Sequence, residues 1–123
     1  GKSPRLKSLE YYNKIDIVLD TFPYNGGTTS FEAAYMGVPI ITMENNSFMF
    51  RCGESINKNL NMGNWIAKDD EDYIFKALKF SENKIDLANL KSELRNIALK
   101  SPLFNSENFS KGFYKMLLDI ARK

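Results

Sequence analysis

Two glycines followed by two threonines form the part of this sequence best suited to chemistry. Residues 19–39 read LDTFPYNGGTTSFEAAYMGVP, an apolar run ending in aspartate, then a loop, then a helix-like segment. Gly26 and Gly27 lack Cβ atoms and tolerate positive φ, so their backbone can approach a ligand closely. Thr28 and Thr29 open the predicted helix, whose N-terminal N–H groups and partial positive charge favour phosphate. The composition therefore indicates a phosphate-binding loop.

This glycine–threonine loop, residues 21–28, departs from the common phosphate-binding motifs. It lacks the Gly-Lys-Ser/Thr of a P-loop and the G-x-G-x-x-G of dinucleotide-binding proteins. Glu32 lies three residues after Thr29, so its carboxylate could accept hydrogen bonds from both hydroxyls of a ribose beside a bound diphosphate. The same spacing fits a capping box, in which Glu32 accepts from the Thr29 N–H and the glycines only make a tight turn. The pattern alone leaves both interpretations open.

The remaining composition restricts which chemistry is available. The chain has no histidine and one cysteine, Cys52, so the commonest general base is absent and a zinc site is not expected. Cys52 and Trp65 are expected in the core. Asp16 and Asp20 bracket an apolar run, and we expect Asp20 to order the following turn rather than to act as an acid or base. Arg51 is expected to form a salt bridge on a helix surface.

Charge and hydropathy exclude several classes of partner. Seventeen basic and fifteen acidic residues give a net charge of +2, and the lysines are spread along the 123 residues, which does not indicate nucleic-acid binding. The longest apolar stretches, such as residues 38–43, are far too short to cross a bilayer, and no signal-peptide pattern opens the chain. We therefore expect a soluble, cytoplasmic protein without nucleic-acid or membrane partners.

The elements that must position these residues alternate between helix and strand. Strands are predicted at residues 16–20, 38–43 and 64–67, and helices at residues 6–12, 29–36 and 49–60. The first strand, DIVLD, is expected to be buried on both faces. The alternation predicts an α/β fold, Rossmann-like and three-layered, with a short parallel sheet of about three strands and C-terminal helices. In such sheets ligands bind beyond the carboxyl ends of the strands, where the glycine–threonine loop lies.

Three further helices are predicted after the last strand. Asp69 or Asp70 caps the first, the second ends near residues 101–102, and Asn105 or Ser106 starts the third. Apolar side chains of the third helix that remain exposed would favour self-association of the chain. The predicted apolar faces are Tyr73, Ile74, Ala77 and Leu78 in the first helix, Ile85, Leu90, Leu94 and Ile97 in the second, and Phe109, Phe113, Met116, Leu117 and Ile120 in the third.

Three blocks of the sequence resemble the C-terminal catalytic region of the O-linked N-acetylglucosamine transferase family, which includes plant SPINDLY-type enzymes and bacterial relatives. DIVLDTFPYNGGTTSFEAAYMGVPIITM at residues 16–43 is the most specific block. RCGESI at residues 51–56 and SPLFNSENF at residues 101–109 match in order and spacing. The resemblance implies a bacterial-type member with a GT-B fold, in which residues 1–123 form one fragment, the later part of the nucleotide-sugar-binding domain.

The resemblance also implies a donor site. Thr28 and Thr29 match the pair that contacts the diphosphate, and Glu32 matches an acidic position that binds the ribose. Arg5 lies near a position where animal members of the family carry a lysine against the base. Ser8 departs from the family pattern, since many members have histidine there. The implied nucleotide-sugar-binding residues are Arg5, Asn25, Gly26, Gly27, Thr28, Thr29 and Glu32.

The activity implied by the resemblance is metal-independent transfer of a sugar, without a further cofactor, to Ser/Thr hydroxyls of proteins. The expected donor is a UDP-hexose, UDP-GlcNAc before others, with a GDP-sugar as the alternative. A glycan-directed transferase would also fit the residues, and so would a degenerate, non-catalytic interaction module. The acceptor-binding part and the catalytic base are expected upstream of this chain, so we expect the isolated chain to be inactive.

Overall fold

A short parallel sheet flanked by helices organises residues 4–123, the part of the chain that this computed structural model describes. Single 3₁₀ turns join several elements at Tyr11–Lys14, Phe48–Phe50, Gly63–Trp65 and Pro102–Phe104. The strands are β1 (Val18–Leu19), β2 (Ile40–Met43) and β3 (Ile66–Ala67). The helices are α1 (Arg5–Glu10), α2 (Thr28–Tyr35), α3 (Arg51–Asn59), α4 (Asp70–Glu82), α5 (Lys84–Lys100) and α6 (Ser106–Ala121).

The central strand β2 explains why the sheet needs cover on both faces. Its neighbours are β1 and β3, both parallel, with Val18 opposite Ile40 and Thr42 opposite Ile66. All four residues of β2 are buried. Because side chains alternate along a strand, Ile40 joins a small apolar cluster on one side while Ile41 packs in the main core on the other. The predicted α/β fold class with a three-stranded parallel sheet is confirmed.

The first strand differs from its prediction in length and burial. We predicted a strand at residues 16–20 buried on both faces, whereas β1 has two residues, Val18 half-buried and Leu19 57% exposed. Among the described residues β1 pairs only with β2, through the Val18 and Asp20 N–H groups. A strand at the edge of a sheet has fewer neighbours to cover its side chains, which accounts for the exposure of Leu19.

The turn between α2 and β2 matches its prediction. Gly37 follows the helix with φ +75°, a conformation that L side chains rarely adopt, and its N–H donates to the Ala34 carbonyl at 3.1 Å. The Val38 N–H donates to the Ala33 carbonyl at 2.8 Å. A Cβ at Gly37 would also lie 2.8 Å from the Lys91 carbonyl oxygen. Glycine is therefore required here by conformation and by space.

Helix α4 begins as predicted, and of its predicted apolar face Tyr73 and Ala77 pack in the core. The Asp69 side chain accepts a hydrogen bond from the Asp72 N–H at 2.8 Å and so caps the helix. Tyr73 is buried as predicted, but Ile74 and Leu78 are each 60% exposed. The face toward the core instead continues from Tyr73 to Phe80, which stacks on buried Trp65 at 4.2 Å between ring centroids. Trp65 therefore lies in the core, as predicted.

The last two helices differ in burial: α5 packs against the core, whereas α6 is exposed to solvent. In α5 the buried residues are Leu87, Leu94 and Ala98, whereas Ile85, predicted on the apolar face, is 75% exposed. Asn105 caps α6 by accepting from the Asn108 N–H at 3.0 Å, but no residue of α6 is buried. Phe109 and the rest of its predicted apolar stripe remain exposed. No helix within residues 4–123 is long and apolar enough to span a membrane.

Candidate functional site

The glycine–threonine loop joins the carboxyl end of β1 to the N-terminus of α2, the position predicted for it. Asp20 follows β1 directly and is 5% exposed. Its Oδ1 accepts from the Gly26 N–H at 2.8 Å, and its Oδ2 accepts from the Thr42 hydroxyl at 2.8 Å. Burial raises the pKa of Asp20, while these hydrogen bonds oppose the rise. The prediction that Asp20 orders the following turn is confirmed.

The Asn25 side chain links the loop to the start of α3 by hydrogen bonds. It is 4% exposed, its Nδ2 donates to the Thr21 carbonyl at 2.9 Å, and its Oδ1 accepts from the Gly53 N–H at 3.2 Å. The Asn25 N–H donates to the Met49 carbonyl at 3.3 Å. Both polar ends of this side chain therefore have partners within the protein, and a direct contact between Asn25 and a ligand stays a prediction.

Helix α2 begins without a side-chain cap. Gly27 is its N-cap residue, and Thr28 and Thr29, both exposed, form its first two positions. The Gly27 carbonyl accepts from the N–H groups of Ser30 and Phe31 at 3.0 and 3.1 Å. A Cβ at Gly27 would meet nothing within 4 Å. The N–H groups and the hydroxyls of Thr28 and Thr29 are thus available to an anion approaching over Gly27.

The capping-box alternative is not formed. The Glu32 carboxylate, 25% exposed, pairs with the Arg5 guanidinium at 3.3 Å instead of with the start of α2. The structure therefore brings Arg5 and Glu32 together, although they are far apart in sequence. The Tyr12 hydroxyl donates to the Thr29 carbonyl at 3.2 Å beside them, and its pKa is raised by burial and by the Glu32 charge.

Two clefts lie at the start of α2, and Phe31 lines both of them. The larger, about 660 Å³, extends from Gly27 along α3 past Asn46 and Arg51. The Arg51 guanidinium lies 3.4 Å from the Glu54 carboxylate, which confirms its predicted salt bridge on a helix surface. The smaller cleft, about 250 Å³, is lined by Arg5, Leu9, Thr28, Phe31, Glu32, Tyr35 and Phe104. The predicted ligand-binding residues Arg5, Thr28 and Glu32 therefore share one surface.

Three residues of the site were not identified from the sequence. Thr42 and Gly53 complete the surroundings of the Asp20 carboxylate, and the Tyr73 hydroxyl donates to the Asp20 carbonyl at 2.7 Å. Two sequence features could have indicated Thr42 and Gly53: a threonine inside the apolar segment VPIITM and a glycine in the RCGESI block. No sequence pattern near Asp20 indicated its contact with Tyr73, which lies on α4, 53 residues further along the chain.

The arrangement is suited to binding an anion rather than to moving protons. Its donors are main-chain N–H groups and threonine hydroxyls, and Asp20, the buried acid beneath them, is fully engaged. Within residues 4–123 no group of three or more His, Cys, Asp or Glu side chains could hold a metal ion. Metal independence of the chemistry stays a prediction.

Comparisons with known proteins agree with these features. The family model described as glycosyl transferase family 41 matches residues 10–113. A probable UDP-N-acetylglucosamine–peptide N-acetylglucosaminyltransferase SPINDLY of Oryza sativa subsp. japonica is 38% identical over 115 residues, which are 94% of this chain and 12% of the rice protein. The corresponding SEC protein of Arabidopsis thaliana is 33% identical over 106 residues, 82% of this chain and 11% of that protein.

A solved structure gives the same result at the level of the fold. The K341M mutant of Thermobaculum terrenum O-GlcNAc transferase superimposes with a TM-score of 0.80 at 33% identity, over 95% of this chain and 23% of that one. The chain thus spans about a quarter or less of the proteins that it matches. The sequence blocks, the parallel sheet and these relatives together show that the chain belongs to glycosyl transferase family 41.

Proposed function

We propose that this chain holds the donor site of a family 41 glycosyltransferase and binds a nucleoside diphosphate sugar at the start of α2. The observation that carries the proposal is the glycine N-cap: α2 begins at Thr28 without a side-chain cap, so the N–H groups of Thr28 and Thr29 remain for a ligand. An N-terminus of this kind, beyond the carboxyl end of a parallel strand, favours phosphate by hydrogen bonding and by its partial positive charge.

The residues would act on the diphosphate as it becomes the leaving group. The main-chain N–H groups and hydroxyls of Thr28 and Thr29 would stabilise the negative charge that develops when the sugar bond breaks. Such fixed donors take the place of a metal ion, and we propose a metal-independent reaction. Glu32 would accept hydrogen bonds from the ribose. Its present partner, Arg5, is 77% exposed and so can move aside or toward the base without disturbing the core.

The donor and acceptor are proposed from the relatives. The rice and Arabidopsis proteins carry names that specify UDP-N-acetylglucosamine as donor and a peptide as acceptor. We propose UDP-GlcNAc as the donor and protein Ser/Thr hydroxyls as acceptors, with a GDP-sugar donor as the alternative to be tested in parallel. The segment binding the acceptor would lie outside these 123 residues. Sugar transfer by this chain alone would contradict that assignment.

A titration with UDP and with GDP, followed by the main-chain amide signals of residues 26–32, tests the site. Saturable shifts centred on Thr28 and Thr29 are expected for the preferred nucleotide. Thr28→Val combined with Thr29→Val removes two hydroxyls at nearly constant volume and should abolish or strongly weaken these shifts. Ser92→Ala, which removes an exposed hydroxyl from α5, is the matched control and should leave them unchanged. Absence of shifts with both nucleotides would contradict the proposal.

A non-catalytic interaction module is the second candidate, favoured by α6. None of its residues is buried, and Phe109 and Phe113 stack on each other at 5.8 Å on its exposed surface. If the chain were such a module, the titration would show no nucleotide binding while the apolar side of α6 mediated association. If it is a donor site, binding depends on Thr28 and Thr29 and is insensitive to changes in α6.

A further inference from the structure

Three residues from separate parts of the sequence surround the carboxylate of Asp20. Asp20 directly follows β1, Gly26 belongs to the loop, Thr42 lies in β2 and Gly53 lies in α3. Asp20 Oδ1 accepts from the Gly26 N–H, and Asp20 Oδ2 accepts from the Thr42 hydroxyl, both at 2.8 Å. A carboxylate that is 5% exposed and holds a donor on each oxygen is fixed in orientation.

Gly53 leaves the space that this carboxylate occupies, and Gly26 leaves space for the hydroxyls beside it. A Cβ at Gly53 would overlap the Thr42 hydroxyl and Asp20 Oδ2. A Cβ at Gly26 would lie 2.6 Å from Ser30 Oγ, 2.8 Å from Thr29 Oγ1 and 3.4 Å from Asp20 Oδ1. Alanine at either position would therefore displace the carboxylate or its neighbours. The glycines at positions 26 and 53 both adjoin the Asp20 carboxylate, although they lie far apart in the sequence.

The main chain of Asp20 is held as firmly as its side chain. Its N–H donates to the Ile41 carbonyl at 2.9 Å, and its carbonyl accepts from the Tyr73 hydroxyl at 2.7 Å. The carboxylate is thus anchored to the sheet and to α4. Through Gly26 it fixes the residue directly before Gly27, the N-cap of α2. The direction in which the first N–H groups of α2 point depends on this connection.

We propose that Asp20 is the positioning residue of the donor site, which holds Gly26 so that the N–H groups and hydroxyls of Thr28 and Thr29 converge on the diphosphate. The inference rests on the proposed donor function. Asp20 does not itself contact the ligand, because both of its oxygens face the protein interior. Its effect on donor affinity is transmitted through the Gly26 N–H.

Asparagine and alanine at position 20 separate geometry from charge. Asparagine can keep both hydrogen bonds: its carbonyl oxygen accepts from Gly26, and its amide donates to the Thr42 oxygen once that hydroxyl rotates. Alanine keeps neither. If Asp20 acts by position, Asp20→Asn retains donor binding and Asp20→Ala loses it. Leu94→Val, in a fully buried position of α5, is the control for loss of stability without a contact to the loop.

The experiment measures the dissociation constant of UDP, or of GDP if that nucleotide is preferred, for the whole 123-residue chain under conditions in which every variant is folded. We expect Asp20→Ala to raise Kd about tenfold or more, since a hydrogen bond to a charged group is lost from the loop. Asp20→Asn is expected within about threefold of the parent, and Leu94→Val unchanged. If Asp20→Ala does not fold, Thr42→Val, which frees only Oδ2, replaces it, with a smaller rise in Kd expected.

A measurement without ligand completes the test. An amide proton that donates to a carboxylate resonates downfield, so the Gly26 signal should move upfield in Asp20→Ala and stay near its position in Asp20→Asn. An unchanged Kd in Asp20→Ala, or in Thr42→Val if that variant replaces it, overturns the role of Asp20 while the donor site stands. A rise of Kd in Leu94→Val equal to that in Asp20→Ala also overturns the role of Asp20. Failure of the parent chain to bind either nucleotide overturns the donor site, and the role of Asp20 falls with it.

Discussion

Replacement of Gly53 by alanine is expected to destabilise the protein, although alanine is the better helix former. Gly53 is the third residue of α3 and is buried. The added Cβ would overlap Thr42 Oγ1 and Asp20 Oδ2, the two atoms of a single buried hydrogen bond. Neither atom belongs to a long flexible side chain that can move away. The substitution must therefore overpack the contact between α3 and the sheet and also open the hydrogen bond.

The magnitude follows from three contributions. Overpacking of a filled interior costs about 1–3 kcal/mol, and loss of a hydrogen bond to a carboxylate costs about 1.5–3 kcal/mol. Alanine returns about 1 kcal/mol through its helix propensity. The free energy of unfolding should fall by roughly 1.5–5 kcal/mol. That is a large part of the about 5–15 kcal/mol typical of a folded protein.

Urea unfolding followed by tryptophan fluorescence measures this change. Trp65 is the only tryptophan, is buried and stacks on Phe80, so its emission reports the core. Gly112→Ala is the matched control, because Gly112 is also helical but a Cβ there meets nothing within 4 Å. We expect no loss of stability in that variant. A Gly53→Ala protein as stable as the parent would refute the packing of α3 against the Asp20 carboxylate.

Three further predictions concern pH, a distant hydrogen bond and α6. The hydrogen bond from Lys58 lowers the pKa of Glu54, so the stability that Glu54 contributes over Glu54→Gln should be present above its unfolded pKa and be lost as pH falls through its folded pKa. Tyr73→Phe should cost about 1 kcal/mol at neutral pH in urea unfolding. Burial raises the pKa of Tyr73 from 10.0 to about 12, so the stability that depends on the phenol is lost as pH rises through that range. Phe109→Ser with Phe113→Ser should reduce self-association in sedimentation experiments, because both side chains are exposed on α6.

Each of these predictions has a result that contradicts it. A stability difference between the parent and Glu54→Gln that does not change with pH would mean that its ion pairs contribute nothing. Equal stability of Tyr73→Phe and the parent would remove the link between α4 and the loop. Ile85→Ser, at another exposed apolar position, is the control for α6. Equal effects of the α5 and α6 changes on sedimentation would show that no particular surface mediates association.

Local signals explain which features could be predicted from the sequence. The order of helices and strands follows from apolar periodicity and from turn residues, and Gly37 marked the end of α2 because helices commonly end at a glycine with positive φ. Asp20 was expected to order its turn because aspartate after a strand commonly bonds to nearby N–H groups. These features depend on residues within a few positions of each other.

Features decided by distant contacts could not be predicted in this way. The exposure of Leu19 depends on which strands pair with β1, and that of Ile74 on which face of α4 meets the core. The sequence left open whether Glu32 caps α2 or serves a ligand. The Glu32 carboxylate pairs with Arg5 instead of capping the helix, and the position of Arg5 relative to α2 is a property of the tertiary fold. The residues proposed to bind the donor remain predictions until a ligand is measured.

The most direct test of the donor site compares binding of UDP with binding of uridine by calorimetry, in the parent chain and in the Thr28→Val, Thr29→Val double variant. We place the main contribution to affinity at the start of α2, on the diphosphate. The parent chain should therefore bind UDP much more tightly than uridine, and the double variant should lose most of this difference. The GDP and guanosine pair is measured alongside and should behave in the same way if guanosine is the preferred base. Equal affinities for nucleoside and nucleoside diphosphate in both pairs would contradict a donor site built on the start of α2.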